Sequence, residues 1–112
     1  MTSRKTTTID TQSSLVTLIN TYEVAPEKRA ELVRLLNEAT EKVMRHVPGF
    51  VSVNIHRSLD GTRVVNYAQW ASRDDFTRML ESPQAQGQMK QLAALAKTVS
   101  PALYQVSSVH AK

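Results

Sequence analysis

An Asp60-Gly61 pair separates two runs, residues 50–58 and 62–71, that are dense in β-branched and aromatic side chains. Such a pair between alternating runs is a strong hairpin signal, because a two-residue type I′ turn needs positive φ at both central positions. No other feature restricts the chain as much, since side chains alternate across a sheet and the turn fixes which of them meet. A two-residue loop sets Leu59 against Thr62, and Ile55, Val53 and Val51 against Asn66, Ala68 and Trp70, all on one face. Ser52, Asn54 and His56 then oppose Gln69, Tyr67 and Val65 on the other.

The remaining elements arrange themselves around that hairpin. Residues 15–24 alternate as a first strand, with Leu15, Thr17, Ile19 and Thr21 on one face and Val16, Leu18, Asn20 and Tyr22 on the other. Apolar groups on both faces call for cover on both sides of the sheet. Pro26 suits a first helical turn. Leu32, Leu35, Leu36, Ala39, Val43 and Val47 then recur at helical spacing until Pro48-Gly49 stops the helix. After the hairpin, Ser72 begins a start like a capping box, with Asp75 in place of Glu or Gln, and Phe76, Met79 and Leu80 follow. Ser82-Pro83 restarts a helix that carries Ala85, Met89, Leu92, Ala93, Ala96 and Val99 on one stripe. Ser100-Pro101 breaks it, leaving residues 102–109 as the last strand. The order β-α-β-β-α-α-β predicts a ferredoxin-like α+β sandwich with its helices on one face of an antiparallel sheet. The face left open carries Ile19, Val65 and Tyr67, which predicts a sheet-to-sheet homodimer.

At 112 residues with 41% hydrophobic content, the chain suits a single domain, residues 15–112, preceded by a polar and disordered lead-in, residues 1–14. The lead-in has no hydrophobic core of a secretory signal, and no apolar run is long enough to span a bilayer. With no cysteine either, a reducing cytoplasm is the expected compartment. The net charge of +4 is spread out, its densest group being Lys28, Arg29 and Arg34 interleaved with Glu27 and Glu31. That pattern describes a solvated helix face rather than the one-sided stripe of a nucleic-acid binder. Six aromatic residues, with Gly49-Phe50-Val51 in the second strand, make a poor platform for stacking RNA bases.

The chemistry-bearing residues are few. His46, His56 and His110 have neither the spacing nor the carboxylate company of a metal site. There is no nucleophile elbow, and the three glycines are isolated, so no phosphate loop is present. Asn66 and Trp70, four apart on one strand, share a face. An amide at mid-strand beneath helices costs about 1–3 kcal/mol if unpartnered. Asn66 therefore either bonds the backbone or lines a pocket, and Asn20 poses the same choice. Trp70, the only tryptophan, is either a core anchor or a pocket wall. His56 is either a polar residue at a strand end or part of the site.

At Asp60-Gly61-Thr62, Val64 to Trp70 (VVNYAQW) and Val47 to Phe50 (VPGF), the chain resembles the antibiotic-biosynthesis monooxygenase (ABM) family. The likeness runs from about Leu15 to Val109 and is greatest to the small quinone-forming monooxygenases of aromatic polyketide pathways. It implies a dimeric ferredoxin-like protein that needs no flavin, haem or metal and oxidises a polycyclic phenol or anthrone to a quinone with O₂. In that frame Asn66 is the donor to a substrate or peroxide oxygen, Trp70 the aromatic wall and His56 an aid to proton transfer. Val53, Ile55, Phe76, Asn20 and Met89 line the substrate slot. Ile55 and Phe76 stand where those relatives carry tyrosines, and their last-helix arginine is absent, with Lys90 nearby. A second branch of the superfamily degrades haem. The chain is similar to it at Asn20 and Trp70 but has Met89 where its axial histidine falls. A dimeric binding protein for a small aromatic ligand is the non-enzymatic alternative.

Overall fold

Strands β1 (Val16–Glu23), β2 (Phe50–Arg57), β3 (Arg63–Trp70) and β4 (Thr98–Tyr104) form one antiparallel sheet in the order β2-β3-β1-β4. Helices α1 (Arg29–Lys42), α2 (Arg73–Glu81) and α3 (Pro83–Leu95) pack on one face of it. This computed structural model describes residues 4–112; the first three residues of the expected lead-in lie outside them. Element order and sheet type are those the hydrophobic pattern predicts.

The hairpin pairs Ile55 with Asn66, Val53 with Ala68 and Asn54 with Tyr67, so both faces are composed as the alternation requires. Its turn, however, is not the type I′ turn expected. Gly61 has φ of 79°, but Asp60 does not join it at positive φ, and the last paired residue is Ser58, whose N–H donates to the Arg63 carbonyl at 2.9 Å. The cause is the Asp60 carboxylate. It accepts from the Thr62 hydroxyl at 2.7 Å, the Ser58 hydroxyl at 2.8 Å and the Thr62 N–H at 3.0 Å. Those bonds organise a wider loop and hold the Asp60 carboxyl down at about 2.

A second departure lies at the other end of β2. A bulge between Phe50 and Ser52 sets Phe50, not Val51, against Trp70, and Val51 is turned outward. The bulge lets the Phe50 ring meet the indole edge-on, with centroids 5.9 Å apart. The third departure concerns β4, which starts at Thr98 rather than at residue 102. Val99 therefore belongs to this strand and not to the α3 stripe, and Pro101 sits inside the strand. Proline is tolerated there because β4 is an edge strand, where a missing N–H need not break a ladder.

Gly49 joins the sheet to α2. Its φ is 88°, a side chain at this position would collide with Asp75, and its carbonyl accepts from the Ala71 N–H at 2.7 Å. Asp75 is tied in turn to the helix cap. The Ser72 hydroxyl accepts from the Asp75 N–H at 3.1 Å, the N-cap half of the box-like start expected from the sequence, and donates to the Asp75 carboxylate at 2.8 Å in place of the reciprocal backbone bond.

Two apolar clusters fill the space between sheet and helices. One gathers Leu18, Ala68, Trp70, Phe76, Met79 and Ala85; the other gathers Tyr22, Val24, Leu32, Leu36, Val64 and Leu92. On the opposite face, Ile19, Val65 and Tyr67 are half-buried. There the Thr7 hydroxyl donates to Asn54 Oδ1 at 3.0 Å, and Gln69 Nε2 donates to the Thr8 carbonyl at 2.8 Å.

Candidate active site

Cross-strand register builds the site as a series of rungs on the helix-covered face. Val53, Ala68, Leu18 and Leu103 make one apolar rung. Val64, Tyr22 and Val99 make another. Between them Asn66 and Asn20 stand directly opposite each other, flanked by Ile55 and Pro101. The two amides thus lie at the seam between the two apolar clusters, where the packing of neither closes over them.

A cavity of about 470 Å³ opens at that seam. Asn66, Asn20 and Tyr22 border it beside Trp70, Phe76 and Met89. Its volume falls in the range of sites for small organic ligands, and its wall is mostly apolar with a few convergent polar groups. Trp70 is 1% exposed and held by edge contacts from Phe50 and Phe76, the latter with centroids 6.1 Å apart.

The polar groups of this chamber are incompletely answered. Asn66 Oδ1, Asn20 Oδ1 and Trp70 Nε1 are all buried without a hydrogen-bond partner among the described residues. Asn20 Nδ2 donates to the Tyr22 hydroxyl at 3.1 Å. Burial pushes the Tyr22 phenol up to about 12, so at neutral pH it is a protonated donor and not a base. Each orphaned carbonyl oxygen costs on the order of 1–3 kcal/mol.

Six of the residues expected at the site meet there: Asn66, Trp70, Asn20, Val53, Phe76 and Met89. Two do not. Ile55 is paired with Asn66, yet it packs sideways into the second apolar cluster with Tyr22 and Val64. His56 pairs with Val65 on the opposite face of the sheet and is exposed, because strand alternation turns every second side chain of β2 away from the helices. The sequence reading did not single out Tyr22 or Arg73, both of which border the cavity. Tyr22 carried a signal, its i, i+2 relation to Asn20; Arg73, at the start of a helix, carried none.

The family model for antibiotic biosynthesis monooxygenases matches residues 15–91. The chain belongs to this family. Over 79 residues, 70% of either protein, it is 51% identical to the tetracenomycin-F1 monooxygenase of Streptomyces glaucescens. Among solved structures it is similar to SnoaB, a cofactor-independent oxygenase from Streptomyces nogalater. There the TM-score is 0.77 and the identity 27%, over 87% of this chain and 97% of that one. It is also similar to the ActVA-Orf6 monooxygenase of Streptomyces coelicolor, solved with the ligand nanaomycin D. That match has a TM-score of 0.77 and 26% identity over 92% of this chain and 96% of the other. As a member of the antibiotic biosynthesis monooxygenase family, the chain is a monooxygenase with a ferredoxin-like fold.

Proposed function

We propose that the protein oxidises a polycyclic phenol or anthrone to a quinone with O₂, without a cofactor of its own, in the chamber between Asn66 and Trp70. One observation supports this reading: Asn66 and Asn20, each with a buried amide oxygen that has no partner among the described residues, border an apolar cavity walled by the lone indole. An electron-rich anthrone that has lost a proton can pass an electron to O₂ directly, so the substrate does what a cofactor does elsewhere. The oxygenated carbon then loses water. One oxygen atom stays as the new carbonyl, the other leaves in H₂O, and the substrate supplies both hydrogens. The protein excludes bulk water and offers the Asn66 Nδ2–H group to the developing oxyanion, the amide oxygen being an acceptor only. His56, on the far face of the sheet, has no part in this scheme, and the Tyr22 phenol, pushed up to about 12 by burial, is not a base at neutral pH. The proton therefore leaves because the substrate is itself acidic.

The experiment is O₂ consumption by purified, chelator-treated protein given an anthrone such as dithranol. Wild type consumes O₂ well above the background rate and Asn66→Ala falls to it. If both oxidise at the background rate, the enzymatic reading is overturned and a binding protein for a small aromatic ligand takes its place. Haem cleavage is disfavoured by the cavity wall, where Met89 and no histidine is found among the described residues. A tight hemin complex with a sharp Soret band would reinstate it.

A homodimer joined through the open sheet face completes the proposal. The half-buried Ile19, Val65 and Tyr67 on that face support it. Light scattering at micromolar concentration gives twice the chain mass if the faces pair; a stable monomer removes this part of the proposal.

A further inference from the structure

We infer that Arg73 is a specificity residue that reads a carboxylate on the substrate at the border of the cavity. This rests on the aromatic-oxidation reading above. The other side chains around the cavity are apolar or neutral; Arg73 alone among them is charged.

Arg73 is also out of place by the rules of its own helix. It is the first residue of α2, where the unpaired N–H groups make a positive end and acidic side chains are favoured, as at Asp74 and Asp75. A guanidinium there is held against a local electrostatic cost. No acidic side chain among the described residues pairs with it. Asp75 is engaged by Ser72 and Arg78, and Arg73 forms no ion pair among the described residues. An exposed cation unpaired among the described residues, bordering an apolar chamber, is available to an anion that the ligand brings. Its planar fork matches a carboxylate with two parallel hydrogen bonds.

Trp70, as the sole tryptophan, reports binding by fluorescence quenching. The probes are anthracene-2-carboxylate and anthracene-2-carboxamide, nearly equal in shape and different in charge, tested on wild type, Arg73→Gln and Arg73→Lys. Wild type is expected to bind the carboxylate about fivefold more tightly at low ionic strength, with the preference shrinking in high salt. In Arg73→Gln the ratio falls to about one while carboxamide affinity is unchanged, and Arg73→Lys retains part of the preference. A ratio near one in wild type, or an undiminished ratio in Arg73→Gln, overturns the inference. If the probes bind equally and dithranol is still oxidised, only the role of Arg73 falls. If neither probe quenches Trp70 and dithranol is not oxidised, the aromatic-site reading falls with it.

Discussion

Asn66 shows how a single residue can be costly to the fold and necessary to the chemistry. Its carbonyl oxygen is buried without a partner, a state that natural sequences seldom keep unless a ligand is to fill it. Asn66→Leu should therefore raise the unfolding free energy by about 1 kcal/mol in urea while cutting dithranol turnover roughly 100-fold. A variant that loses both, or neither, would show the amide to be ordinary core. His56→Ala is expected to leave the rate within about twofold, because the imidazole lies on the opposite face of the sheet. A large loss in steady-state O₂ uptake would contradict that placement. Tyr22 makes a third test. Its phenol titrates near 10 in an unfolded chain and at about 12 when folded, so its contribution is complete below pH 10. Stability then falls by about 2–3 kcal/mol as pH rises toward 12, and Tyr22→Phe flattens that alkaline limb in denaturant titrations. Much of this site was legible in the residues alone. An amide at mid-strand beneath helices had to be satisfied or functional, and the period of two put Trp70 beside it. Arg73 was not legible, since nothing in a helix-start sequence tells which way its first side chain leans.

At the level of elements, alternation and helical spacing decided the architecture, and local hydrogen bonding decided the details they could not reach. The period-two pattern gave every pairing of the hairpin from Ser52 to His56. It failed where a side chain competed with the backbone, at the Asp60 carboxylate, and where one ring sought another, at the Phe50 bulge. The start of β4 was hidden for a different reason. Val99 and Pro101 look like the end of a helix, and only a place at the sheet edge makes them strand. Gly49 is the element-scale test. Alanine there meets a positive φ and the Asp75 side chain together, so Gly49→Ala should cost about 1–3 kcal/mol in chemical unfolding. An unchanged midpoint would mean that the junction between β2 and α2 is looser than its contacts imply.

For the molecule as a whole, the sheet offers two edges and one open face, and these differ in what they permit. The outer strands are β2 and β4, and each is interrupted, the first by the bulge at Val51 and the second by Pro101. Neither presents an unbroken row of free N–H and C=O groups to a second copy. Restoring the row with Pro101→Val should make concentrated protein slowly thioflavin-positive, whereas the parent chain stays clear; equal behaviour of the two would assign solubility to surface charge instead. If copies pair through their open faces as proposed, these two interruptions cap growth at two subunits. A proline and one extra residue thereby act as gatekeepers against fibre formation, letting an adhesive sheet persist at high concentration without seeding an endless ribbon.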